Sequence, residues 1–288
     1  MLSELGPRAS AAARSPDFGT PLVSVITTCK GRLAHLQVTL PLMLAQRCDF
    51  PFEVLVVDYG CPQGTWAWCC ELACQRLVAV KVCDDTNIFH RSRARNCGAV
   101  AARGRLLTFI DADIRPLEEW LAQAVTPIRG SSMAWSVVSQ LKNGWDCGGT
   151  WLVTADLFHR VRGYDEQLQG WGEEDADLYR RCAAVSTGMT FPAHLLHPIR
   201  HGHDERVAHH NEKSIVRSQD QNGMYLRGRK GLVNPSGYGI GTIDVFRGSG
   251  LLPVNSTWVF RPRAMPPLRR SVRGETAQST PAHSDCGV

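Results

Sequence analysis

The chain has 288 residues, 43% of them hydrophobic and 20% charged, with a net charge of +5. That length suits one large α/β domain or a domain with an elaborated second half, and the composition is ordinary for a globular protein. The mild charge does not mark a nucleic-acid binder, and the lack of any run of about 18 apolar residues argues against a transmembrane segment.

In chain order, residues 1–20 read as a disordered leader rich in Ala, Ser, Arg and Pro, without the apolar stretch of a secretory signal. Residues 22–28 (LVSVITT) form a β-branched run that predicts a buried strand. Over 32–46, Leu33, Leu36, Leu40 and Leu44 recur at helical spacing, predicting a helix bent or interrupted at Pro41. A second strand is expected at 52–57, a helix at 65–76, a third strand at 77–82, a helix at 91–102 and a fourth strand at 105–110. This alternation predicts a mostly parallel sheet covered on both faces. Past Trp120 the rhythm loosens. Strands are expected at 132–141 and 150–154, and helices at 156–161, 174–186 and 209–226, whereas 228–250 is glycine-rich and shows no period. Residues 261–288, with Arg261, Arg263, Arg269, Arg270 and Arg273, read as a disordered basic tail, leaving peripheral contact with an anionic membrane open. The 11 cysteines include no CxxC pair and fit a reducing, cytoplasmic setting.

In such sheets ligands bind beyond the carboxyl ends of the strands. Thr28, Asp58 and Asp111 fall at that edge, although an Asp there can equally cap the next helix. In Asp111-Ala112-Asp113 one carboxylate can hold a hard cation while the other takes a ribose hydroxyl or a metal-bound water. Such a cation would neutralise a leaving diphosphate. Downstream lies Gly170-Trp171-Gly172-Glu173-Glu174-Asp175. The glycines permit a tight turn, Trp171 can pack on a sugar face, and Asp175 can take a proton from an attacking hydroxyl. The alternative is an acidic helix start favoured by the helix dipole, and Asp177 with Arg181 reads as a solvated i, i+4 pair on that helix. His203, and after it His201, are candidate imidazole ligands completing a site otherwise made of oxygen.

Together these residues resemble the family-two glycosyltransferases of the GT-A fold. VSVITTCKGR looks like that family's first strand and nucleotide loop, VLVVDYG like its second strand, and ARNCGAVAARGRLLTFIDAD like the stretch leading to its DxD motif. GGTWLVTADLFHRVRGYDEQLQGWGEEDADLYRR is similar to the C-terminal module of β-1,4-galactosyltransferases and chondroitin-polymerase-type enzymes. The resemblance implies an α/β GT-A fold with an elaborated C-terminal half. Residues 21–120 would bind the nucleotide-sugar and 121–260 would bind the acceptor and carry catalysis. It further implies an inverting transfer from a UDP-sugar to a hydroxyl acceptor in glycan synthesis, assisted by Mn²⁺ or Mg²⁺. Asp175 would be the base, with Glu174 and Trp171 shaping the sugar pocket. Asp113 with His203 or His201 would hold the metal, and Asp58 and Asp111 the base and ribose, near Thr28 and Arg32. Arg95 stands open between supporting the diphosphate, supporting the first Asp of the motif, and a structural ion pair. The family pattern has Gly at 173 and Asp at 176, where this chain has Glu173 and Ala176, so acceptor identity does not carry over. Two rival readings remain at this level: a sugar nucleotidyltransferase, and a non-catalytic protein that binds sugar-nucleotides or glycans.

Overall fold

A computed structural model describes residues 20–260 apart from 73, 84–85, 140–146 and 249, with no side chains described for 250–260. The leader, except its last residue, and the basic tail lie outside the described residues. The chain first alternates β1 (Val23–Cys29), α1 (Leu33–Leu44), β2 (Phe52–Asp58), α2 (Thr65–Leu72), β3 (Leu77–Cys83), α3 (Arg91–Ala101) and β4 (Leu106–Phe109). There follow β5 (Ile114–Pro116), α4 (Trp120–Val125), β6 (Trp135–Val138), β7 (Trp151–Thr154), α5 (Ala155–Arg160), α6 (Glu174–Ala183) and β8 (Gly188–Phe191). A 3-10 turn at Ala193–Leu195 leads to β9 (Leu196–Pro198), α7 (His203–Val207), α8 (Ile215–Gly228), β10 (Tyr238–Arg247) and β11 (Gly250–Phe260). α1 runs through Pro41 without interruption, and Ala45 N–H still reaches the Pro41 carbonyl at 3.0 Å.

One sheet of nine strands has the order β11-β10-β3-β2-β1-β4-β7-β6-β8, and β5 pairs with β9 separately. Strands β3, β2, β1 and β4 are mutually parallel, while β10 and β7 run antiparallel against either flank of that block. Apart from the end of β3, where Lys81 and Cys83 are exposed, the parallel strands are buried on both sides, so their sequences are largely apolar runs. Within them the side chains still alternate between two cores. Val54, Val56 and Leu106 join the cluster that includes Leu36, Leu40 and Trp120, whereas Leu55, Val57 and Leu107 join that of Phe109, Trp151 and Tyr164. The chain proceeds outward from β1 to β3 and then returns to the other side of β1 as β4. A crevice therefore opens between the carboxyl ends of β1 and β4.

The stretch 228–250 differs from its reading as a segment without period, because its second half holds β10. Its glycines serve close packing. A Cβ on Gly239 would come within 3.1 Å of the Asn96 backbone, and one on Gly241 within 2.8 Å of the Arg93 guanidinium. Glycine in this strand marks the approach of α3. Likewise Gly98 lets α3 lie against Ile26 and Val57, where a Cβ would stand 2.5 and 2.9 Å away. That close contact aims the first turns of α3 at the crevice.

Candidate active site

The crevice is a cleft of about 950 Å³. Its walls come from the end of β1 (Thr28, Lys30, Arg32), the end of β4 (Asp111, Ala112, Asp113), Gly148 and Gly149, the 171–176 turn, and the 198–206 segment. Asp113 and Asp175 line this same cleft. A smaller depression of about 440 Å³ beside α6 and α8, lined by Glu173, Arg180, Gln219 and Arg227, contains none of the converging carboxylates.

Buried against the carboxylates that line the cleft is Arg95, only 3% exposed, in the second turn of α3. Its Nη2 donates to Asp111 Oδ1 at 2.9 Å, and its Nη1 donates to Asp175 Oδ1 at 2.9 Å and to Glu174 Oε1 at 3.4 Å. One turn earlier, Arg91 Nη1 donates to Glu174 Oε1 at 2.8 Å. Three carboxylates thus face two guanidinium groups. Burial pushes the Glu174 and Asp111 carboxyls up, but the Arg91 and Arg95 charges outweigh it and hold both below the usual range. Asp175 goes the other way. Burial raises it to about 7, with Glu174 and Asp111 adding to the rise and Arg95 opposing it. The Tyr164 hydroxyl, itself pushed up by burial, donates to Asp175 Oδ1 at 3.2 Å and accepts from Trp151 Nε1 at 2.8 Å. Asp175 Oδ2 borders Gly149, where a Cβ would stand 3.3 Å from it, 3.1 Å from Asp111 Oδ2 and 3.0 Å from Arg95 Nη2. Glycine at 149 keeps that space open.

The turn before α6 is held from behind by α8. Asn222 Nδ2 donates to the carbonyls of Gln169 (2.9 Å) and Gly172 (2.8 Å), and Trp171 N–H donates to Ser218 Oγ at 2.7 Å. Gly170 and Gly172 adopt φ of 74° and 94°, and a Cβ at 170 would lie 2.3 Å from Ser218 Oγ. Trp171 lines the cleft as a result. The expected solvated pair on α6 is a buried one. Asp177 accepts from Arg181 Nε and Arg229 Nη2, both at 2.8 Å, and Arg229 also bridges to Asp165 at 2.8 Å. The i, i+4 spacing on α6 did not reveal Arg229 arriving from beyond α8.

A second cluster occupies the other end of the cleft. Asp113 Oδ2 meets Arg32 Nη1 at 2.5 Å and His201 Nε2 at 2.7 Å, and those two nitrogens are 2.7 Å apart. The structure thus brings His201 to Asp113. His203 begins α7, is exposed, and does not line the cleft. An oxygen and an imidazole nitrogen are suitable donors for Mn²⁺ or Mg²⁺. Among the described residues no three His, Cys, Asp or Glu side chains form a metal-binding group.

Thr28 lines the cleft, but Asp58 does not. Both Asp58 oxygens are engaged locally, by the amides of Cys61 (2.6 Å) and Trp66 (2.7 Å), which fixes the turn into α2. Arg91, Tyr164 and Gly149 were not singled out from the sequence. For Arg91 the signal was present, since it stands four residues before Arg95 on the same helix face. For Tyr164 and Gly149 only the folded chain shows the proximity.

A sheet with a parallel central block and acidic pairs converging at its switch point is the arrangement of the GT-A fold. The model of glycosyl transferase family 2 matches residues 24–190, more than half of the chain, and the chain belongs to that family. Glycosyltransferase AglE of Haloferax volcanii is 28% identical over 185 residues, covering 61% of this chain and 58% of that protein. Uncharacterized protein y4gI of Sinorhizobium fredii is 30% identical over 114 residues, 38% of this chain and 12% of its own length. The chain thus spans little more than half of the first of these relatives and a small part of the second. Among solved structures, mannosyltransferase PcManGT from Pyrobaculum calidifontis, in complex with GDP-Man and Mn²⁺, superposes with a TM-score of 0.56 at 18% identity, covering 77% of this chain and 68% of its own. S. aureus TarS 1–349 in complex with UDP gives 0.51 at 15% identity over 71% and 70%. These likenesses show the fold. No helix among the described residues is long and apolar enough to cross a membrane.

Proposed function

We propose that the protein transfers a sugar from a nucleoside-diphosphate donor to a hydroxyl acceptor by a single, inverting displacement. The first half, 21–120, would hold the donor and 121–260 the acceptor and the base. The observation that carries this reading is the bridge made by Arg95, which joins Asp111 and Asp175 at 2.9 Å each inside one cleft. The two acidic motifs, distant in the chain, belong to one site.

Asp175 takes the proton of the acceptor hydroxyl. The acceptor oxygen forms its bond to the anomeric carbon as the bond to the diphosphate breaks, and that electron pair leaves with the nucleoside diphosphate. A carboxylate with a pKa near 7 is ionised often enough and basic enough for this work. Tyr164 and Arg95 hold Oδ1, so the geometry favours Oδ2, beside Gly149, as the accepting atom. Asp111 is held ionised for the donor by Arg95, and Trp171 offers a face for a sugar ring. Asp113 and His201 would hold a divalent cation. When bound, that cation supplies charge to the departing diphosphate. PcManGT and TarS, which share the fold, were crystallised with GDP-Man and Mn²⁺ and with UDP, supporting a nucleotide-sugar donor.

The test is turnover on a panel of nucleotide-sugars with oligosaccharide acceptors, followed as release of nucleoside diphosphate. Release of pyrophosphate instead would point to nucleotidyl transfer. Donor binding that persists with no transfer to any acceptor would indicate a binding protein. Transfer that withstands excess EDTA removes the cation from the scheme.

A further inference from the structure

We propose that Arg32 is a resident cation that competes with the divalent metal for the Asp113–His201 pair, so that metal and nucleotide diphosphate load together. This rests on the reading that Asp113 and His201 are the metal donors.

Three atoms form a closed triangle: Asp113 Oδ2, His201 Nε2 and Arg32 Nη1, with sides of 2.5, 2.7 and 2.7 Å. Metal–ligand bonds to such donors are about 2.0–2.2 Å long. An ion bridging the two donors on the side of Nη1 would meet it, so there the guanidinium and the ion exclude each other. The guanidinium already pairs with Asp113, beside the His201 imidazole. A free divalent cation therefore gains little by displacing it.

A diphosphate changes both sides of that balance. It provides further oxygens for the cation, and it gives Arg32 a new anionic partner suited to the guanidinium fork. The arginine lines the cleft and has somewhere else to go. Its Nε already lies 3.5 Å from Glu205 Oε1, which also contacts His35 Nδ1 at 3.3 Å. The backbone beside it is pinned. Gly31, at φ 72°, packs so closely under the His209 ring that a Cβ there would stand 2.0 Å from Nε2. The exchange calls for a side-chain movement of Arg32 only.

Mn²⁺ binding to the full chain, followed by the EPR signal of free Mn²⁺ with and without UDP, tests this without reference to turnover. If the arginine-in state holds about nine molecules in ten, it weakens the apparent affinity of the nucleotide-free protein about tenfold. Arg32→Ala should therefore bind Mn²⁺ about tenfold tighter than wild type in the absence of UDP, with a correspondingly smaller gain when UDP is added. Arg32→Gln, which keeps most of the side-chain volume, should move the same way, and His201→Ala added to Arg32→Ala should remove the gain. Unchanged or weaker nucleotide-free binding in both Arg32 variants, with UDP-dependent Mn²⁺ binding intact in wild type, overturns the competition and leaves the metal site standing. No Mn²⁺ binding by any variant, even with UDP, overturns the metal site itself and the competition with it.

Discussion

Two arginine–carboxylate clusters sit at opposite ends of α3, and they are built to opposite rules. At its carboxyl end, Glu53 of β2 accepts from Ser24 Oγ (2.7 Å), the Arg103 amide (2.8 Å), the Arg103 guanidinium (3.1 Å) and Arg247 Nη1 (2.7 Å). One buried anion there has two guanidinium partners. Arg247 Nη2 also donates to the Ala101 carbonyl at 2.6 Å, closing the last turn of the helix. At the amino end, Arg91 and Arg95 face Asp111, Glu174 and Asp175. Negative charge is in excess, and Asp175, with 24% of its side chain open to the cleft, is pushed towards holding a proton. The first arrangement pairs its one buried carboxylate fully and fastens the helix to the sheet. The second leaves one carboxylate underpaid in positive charge, which is what a proton acceptor needs.

The largest expected effects separate the two clusters by function. Asp175→Asn should lower turnover by about 10²–10⁴, the range for a lost general base. Glu53→Gln should leave the rate per folded molecule within about twofold, because its effect falls on stability. Equal loss in the two variants, or none in Asp175→Asn, breaks the contrast. In urea denaturation the arginines should also divide. Arg95→Met strands buried carboxylates and should cost about 3–5 kcal/mol. Arg247→Met leaves Glu53 paired with Arg103 and should cost about 1–2 kcal/mol. A cost for Arg247→Met equal to that of Arg95→Met would mean that the amino-end cluster is no more deeply committed than the other.

Of this arrangement, the strands and the carboxylates at the amino end of α3 were visible in the amino-acid order, and the Glu53 cluster was not. The apolar runs of β1, β2 and β4 announce strands buried on both faces, and Asp111 and Asp113 follow the last of them directly. What one sequence does not convey is which side chain meets which across the fold. His201 and His203 differ by two positions in a loop, and nothing local decides which turns to Asp113. Asp58 stands at a strand end like Asp111, yet its neighbours are the amides of Cys61 and Trp66, so it holds a turn. β10 went unseen because the glycines that let α3 approach it also erase the alternation of a strand. Arg229, which joins Asp165 to Asp177 across more than fifty residues, has no local signature at all.

A smaller effect tests the charge excess itself. Asp175 accepts a proton only when ionised, so kcat/KM should rise with pH through an apparent pKa near 7 and level off above it. The charge of Glu174 is one cause of that raised value. Glu174→Gln removes a negative neighbour, favours the ionised Asp175, and should move the acid limb to lower pH. A limb that stays in place or moves to higher pH would show that Glu174 does not set the proton affinity of Asp175.

The smallest expected effect concerns strain beside the same cluster. Glu173 precedes α6 at φ 74° and ψ −19°, a left-handed conformation that costs a non-glycine residue about 1 kcal/mol or more. Its carboxylate offers little in return within the described contacts, reaching Arg180 Nη2 at 3.5 Å near the surface. Exposed pairs of this kind contribute about 0–1 kcal/mol. Glu173→Gly removes the strain but gives the unfolded chain more freedom, which takes back about 0.5–1 kcal/mol. The balance leaves a net stabilisation below about 1 kcal/mol, or a Tm higher by up to about 2–4 °C in a domain of this size. The Glu53 cluster, set in regular strand, has no comparable strain to release. A fall in Tm on Glu173→Gly would mean that the carboxylate holds the turn more strongly than its one long ion pair indicates, and that the acidic excess at this end of α3 extends one residue further than the arginines reach.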